Sequence, residues 1–166
     1  MLVACSTQMR AIGDAPFDLE GMQSATFTQT ANSAPAQGVG AADLLVSSEV
    51  LRCGQDIPSE GSTIELRLGW MHQAFDPEDS ALDQGWEGVY LEAQAAQARV
   101  DQGAVRRTLF VVVYTEGERW DLAQFPGQVE LREFGEPIVG SLDHQWLRGR
   151  FEAERCEQQS VEDTGA

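Results

Sequence analysis

Hydrophobic and polar residues alternate in several short stretches of the chain, with turn-forming residues between them. The clearest stretch is 62–69, where Ile64, Leu66 and Leu68 alternate with Thr63, Glu65 and Arg67. A period of two sends successive side chains to opposite faces, so this pattern predicts a strand buried on one side. Residues 108–115 include the run Leu-Phe-Val-Val-Val-Tyr, apolar at both parities and rich in β-branched and aromatic side chains. That predicts a strand covered on both faces and central in its sheet. Residues 128–134 alternate through Val129 and Leu131, and 146–156 carry Leu147, Phe151 and Ala153 on one parity, so these two are expected to be neighbours. Apolar residues are scattered through 17–28, and 44–51 fits a strand or a helix. Residues 31–40, Phe125-Pro126-Gly127, and Gly135, Pro137 and Gly140 read as loops or turns.

Residues 89–100 read differently. They are good helix formers, with Val89, Ala93, Ala96 and Val100 spaced i, i+4, i+7 and i+11, which predicts a short helix. The alternative is a long strand that turns at Asp101-Gln102-Gly103 into 105–115 as a β-hairpin. The predicted fold class is all-β: a β-sandwich of about six to eight antiparallel strands with one short helix near 89–100, and a small β-barrel as the alternative.

The chain has 166 residues, 42% of them hydrophobic. A single domain of this size buries roughly 68–70% of its unfolded surface, enough for an apolar core. No apolar run approaches the roughly 20 residues of a membrane-spanning helix. The formal charge is −16, from 27 Asp and Glu against 11 basic residues, all of them Arg. A surface this acidic repels phosphate backbones and argues against nucleic acid as a partner. It also argues against adsorption to anionic headgroups and favours cations or basic partners.

Three cysteines stand at 5, 53 and 156, with no Cys-x-x-Cys spacing to suggest zinc or redox chemistry. Leu2-Val3-Ala4-Cys5 resembles the lipobox of bacterial lipoproteins, in which the cysteine becomes the acylated mature N-terminus. The resemblance implies that 1–4 are a signal-peptide remnant, that Cys5 is the lipidation site, and that the polar residues 5–16 are a flexible tether. It places a domain at 17–156 on a bacterial membrane, periplasmic or at the cell surface, followed by a disordered tail at 157–166. With Cys5 taken by lipid, Cys53 and Cys156 remain as a pair free to form a disulfide in an oxidising compartment.

Between Leu68 and Ala98 there is no Arg, while Asp76, Glu78, Asp79, Asp83, Glu87 and Glu92 supply six negative charges. Asp76, Glu78, Ser80 and Glu87 fall at positions 1, 3, 5 and 12 of a calcium-loop pattern, but Ala81 stands where that loop needs Gly. Irregular calcium coordination by Asp76, Glu78, Asp79, Asp83 and Glu87 is therefore weighed against a plain solvated loop, and no other cofactor is indicated. Trp70, Phe75, Trp86 and Tyr90 stand among these acids. Carboxylates beside flat rings suit a sugar or an anchored peptide, whereas the structural alternative is that these rings fill the core. His72 and His144 are not at a metal-ligand spacing, and no nucleophile elbow, zinc-protease, Walker or dinucleotide motif is present. A hydrolase built on two converging carboxylates stays open on sequence grounds. Arg106-Arg107 and Arg148-Gly149-Arg150 could hold an anion, although strand alternation would also make them a solvated face. The sequence thus favours an exported lipoprotein with a non-catalytic binding or structural domain whose partner is a protein or glycan. Calcium-assisted carbohydrate or peptide binding through 70–90 is the alternative.

Overall fold

The computed structural model describes residues 7–72, 85–92, 105–122 and 125–156. They form ten strands: β1 (Gln8–Ala11), β2 (Ser24–Gln29), β3 (Val39–Ser47), β4 (Ser62–His72), β5 (Gly88–Glu92), β6 (Val105–Thr115), β7 (Glu118–Asp121), β8 (Gly127–Phe134), β9 (Ile138–His144) and β10 (Leu147–Cys156). The order β10-β2-β3-β4-β6-β5-β8-β9 closes on itself because β9 also pairs with β10. The fold is therefore all-β, and the barrel alternative replaces the sandwich. Alternation alone does not separate the two, since closure depends on which distant strands pair. Two strands lie off the ring, with β1 antiparallel to the first half of β10 and β7 antiparallel to the end of β6.

Four sequence expectations need correction. The first concerns the proposed helix, because Gly88–Glu92 is a strand, antiparallel to β8 and parallel to β6. The hairpin alternative fails for the same reason, and residues 93–104 lie outside the described set. Second, not every pair is antiparallel, since β10 also runs parallel to β2. Third, β8 and β10 are not neighbours; β9 lies between them, made from the segment read as punctuation. Fourth, residues 7–16 include a docked strand, in which Met9 is buried while Gln8 and Arg10 face out. A Cβ at Gly149 would stand 2.0 Å from the Gln8 carbonyl oxygen, so only glycine lets β1 lie this close to β10.

The barrel interior is apolar and filled. Leu44 and Val46 of β3, Ile64 and Leu66 of β4, Val113 of β6, Val129 of β8, Leu142 of β9 and Phe151 of β10 are all at most 1% exposed. Outward positions include charges such as Asp43, Arg67, Glu130, Asp143, Arg148 and Glu152, beside apolar residues such as Leu45, Val89 and Phe110. One end of the barrel is closed by buried hydroxyls. Ser47 bonds Thr63 at 2.8 Å, Ser62 bonds Thr115 at 2.7 Å, and Thr115 donates to the Asp18 carbonyl at 2.8 Å. Phe17, Trp120 and Trp146 pack beside this end.

Candidate functional site

The sequence directed attention to residues 70–90, and the structure places part of that set at the opposite end of the barrel. Trp70 is an inward residue of β4 near its end, Tyr90 is the inward residue of β5, and Trp86 lies just before β5. All three are buried, Trp86 and Tyr90 completely. Trp86 stacks on Phe134 at 5.3 Å and meets Phe27 and Trp70 edge-on at 5.0 and 5.7 Å. The Trp70 indole fits because glycines stand on both sides of it: a Cβ at Gly40 or at Gly85 would come within 1.9 or 2.4 Å of its ring. Tyr90 donates its hydroxyl to the Trp86 carbonyl at 2.7 Å, and burial pushes its phenol pKa up while the nearby Arg107 guanidinium pulls it down. Arg107 also donates from Nε to the Gly85 carbonyl at 3.0 Å. These rings therefore fill the core rather than face solvent, which is the structural alternative weighed above. Phe75 lies outside the described residues.

Of the calcium candidates only Glu87 is described, and its Oε1 accepts the Phe134 backbone N–H at 3.1 Å. Asp76, Glu78, Asp79 and Asp83 lie outside the described residues. Among those described, no group of three or more His, Cys, Asp or Glu side chains is placed to hold a metal. Cys5 is likewise outside the described residues. Cys53 and Cys156 are bonded, with Cα atoms 5.4 Å apart, and tie the β3–β4 connection to the end of β10.

Two arrangements were missed by the sequence reading. On the outer wall, Glu65 is a buried carboxylate that accepts from Arg67 Nε at 3.3 Å and from the Tyr114 hydroxyl at 3.5 Å. Burial raises the pKa of the adjacent Asp43 carboxyl, Glu65 adds to that rise, and Arg67 opposes it. Period two had placed Glu65 on the outer face, but the cover over it comes from cross-strand neighbours that local sequence does not reveal. The second is His144, an inward residue at the end of β9 that is 3% exposed. Its Nδ1 accepts the Trp146 backbone N–H at 3.0 Å, which places the neutral ring's proton on Nε2. Burial lowers its pKa, against smaller opposing contributions from the Leu122 backbone and Asp143. No protein-family model, curated protein or solved structure matches this chain.

Proposed function

We propose that the protein is an exported bacterial lipoprotein, acylated at Cys5, whose closed β-barrel acts as a binding or structural module outside the cytoplasm rather than as a catalyst. The observation that carries this reading is the Cys53–Cys156 disulfide. Such bonds persist in oxidising compartments and are rare where thioredoxin and glutathione keep thiols reduced. The bond also leaves Cys5 as the one cysteine of three outside this disulfide, as an acylation site requires. The outward charges of the barrel suit it to water, so stable anchoring falls to the acyl group. A filled interior puts recognition of a protein or glycan on the outer wall and at the barrel ends.

The test is to express the natural gene in a bacterial host, fractionate the cells, and determine the mass of the N-terminal peptide and the free thiols of the denatured protein. The expected result is membrane-associated protein with a diacylglyceryl thioether on Cys5 and no free thiol before reduction. Cytoplasmic protein with an unmodified Cys5 and three free thiols would reject the reading.

A further inference from the structure

The outer wall is not uniformly acidic. β1 and β10 pair so that Arg10 stands opposite Arg148 and Gln8 opposite Arg150. All four side chains are exposed. Like charges directly across a strand pair repel, and here they are not balanced by a matching row of acids. Asp143 reaches Arg148 at 3.5 Å, with both side chains more than half exposed, whereas Arg10 and Arg150 have no ion pair among those the structure shows.

These side chains border a groove of about 580 Å³, whose other wall is Gly21 and Met22. Of its nine lining residues, three are Arg and none is acidic. A random nine from this chain would hold about 1.5 acids and about 0.6 arginines, so the groove inverts the charge of the molecule around it. The inversion is local. Beyond Arg150 the outward positions of β10 become Glu152 and Glu154, which border a separate acidic hollow with Glu136. Arg148 and Arg150 project on the same side about 6.6 Å apart along the strand, with Arg10 facing Arg148 across the ladder. Guanidinium groups in this arrangement suit the several oxygens of one phosphate group.

Thr7 lines the same groove and is fastened to β10, accepting the Glu152 backbone N–H at 3.0 Å. Cys5 is two residues earlier, within about 7 Å of Thr7 even with the chain extended. Building on the lipoprotein reading, we propose that the Arg10–Arg148–Arg150 groove receives the phosphate of an anionic lipid headgroup, so that the β1–β10 face is the side of the barrel turned to the membrane. The overall charge of −16 does not prevent this at physiological salt. Screening confines each charge's influence to about 8 Å, so the bilayer responds mainly to the face that touches it.

The experiment uses the full chain with Cys5→Ser, so that any vesicle binding is independent of acylation, at 0.15 M salt. Flotation with phosphatidylglycerol-containing vesicles is compared with pure phosphatidylcholine vesicles, and inorganic phosphate is titrated separately with the arginine Nε–H resonances as readout. The groove is expected to bind the anionic vesicles selectively. Binding should weaken about fivefold for each of Arg10→Gln, Arg148→Gln and Arg150→Gln, and by less for Arg→Lys at the same positions, which keeps the charge but not the planar fork. Equal binding to both vesicle types, or to anionic vesicles by the triple Gln variant with its melting temperature unchanged, would overturn the proposal. Saturable phosphate binding without vesicle binding would overturn the lipid as occupant. Selective vesicle binding by a protein whose natural form carries no acyl group would instead uphold the groove and reject the anchor.

Discussion

Removing the disulfide offers the most direct quantitative test of how the barrel is held closed. Cys53 and Cys156 are 103 residues apart in sequence, and the loop between them contains β4 to β10. In the chain-entropy description, opening a loop of this length frees the unfolded chain by about 4.7 kcal/mol at 25 °C. Although Cys156 is buried, Cys53 lies in an exposed loop, and Cys53→Ala with Cys156→Ala removes only one sulfur atom at each position, so little packed volume is deleted. Most of the loss should therefore arise in the unfolded state. For a domain of this size about 1 kcal/mol corresponds to roughly 3 °C, so the double variant should melt about 14 °C lower. Urea unfolding of the two proteins is the assay. The stability difference should approach 4–5 kcal/mol, and the dependence on urea should steepen because the uncrosslinked unfolded chain exposes more surface. A loss below about 1.5 kcal/mol with an unchanged urea dependence would refute the reasoning, since it would mean that the cross-link constrains little in the unfolded chain.

Other expectations rest on single positions. Because burial lowers the His144 pKa in the folded state, the unfolded chain binds its proton more readily. The stabilisation from keeping this ring neutral should be fully present above about pH 6.5 and lost as pH falls below that, so unfolding free energies at pH 7.5, 6.5 and 5.5 should decline less steeply in His144→Gln than in the parent. Trp86→Ala empties the centre of the aromatic cluster and should cost about 3–5 kcal/mol in denaturant unfolding; near-wild-type stability would mean that Trp86 is not a core residue. Gly40→Ala drives a methyl into the Trp70 indole and should cost about 1–3 kcal/mol with a changed near-ultraviolet dichroism, and an unchanged spectrum and stability would argue against the close approach. Gly149→Ala collides with the β1 backbone rather than with a movable side chain. It should release β1 and raise amide exchange at Met9 to Ala11, whereas retained protection there would count against the β1–β10 contact.

What could be read from the sequence depended on where each strand's share of the core came from. β4 and β10 supply their own inward side chains, such as Ile64 and Leu66, and Phe151 and Ala153, so alternation revealed them, while β6 was marked by an apolar run at both parities, with Val111, Val112 and Val113 all buried. β9 was missed because its central inward residue is Gly140, where a Cβ would stand 2.6 Å from the Phe151 ring of β10. Gly40 beneath Trp70 repeats the arrangement, with a large side chain on one strand filling the space left by glycine on its neighbour, whereas Gly149 makes room for the β1 backbone at Gln8 and Met9. In such a pair the hydrophobic signal is stronger on one strand, and the glycine-bearing segment reads as a loop, as residues 31–40 and Gly140 do. Ring closure and the two parallel pairings join distant segments and leave no local trace. The disulfide followed from counting cysteines once the lipobox-like sequence was set aside. The arginine groove could not be assembled in the same way, because Arg10 joins Arg148 and Arg150 only through the β1–β10 register.

The same glycine–aromatic packing limits where this protein can meet a ligand. Trp70, Trp86 and Tyr90 looked like a recognition surface because large rings lie close to acids in sequence, yet the glycines at 40 and 85 exist to make room for one of those rings inside the barrel. A ring held between two glycines cannot turn outward without leaving a void on both sides, so its burial is built into the wall rather than chosen by one rotamer. Under the proposed binding role, specificity comes from outward side chains and the barrel ends, which no core requirement dictates. Along β10 they change sign within one strand, from Arg148 and Arg150 to Glu152 and Glu154, while the inward residues Leu147, Phe151 and Ala153 continue the same core. Part of that change is matched within the fold, since Arg148 meets Asp143 of β9 at 3.5 Å, so Arg150, which has no ion pair among those the structure shows, is the position at which the groove proposal is most directly tested.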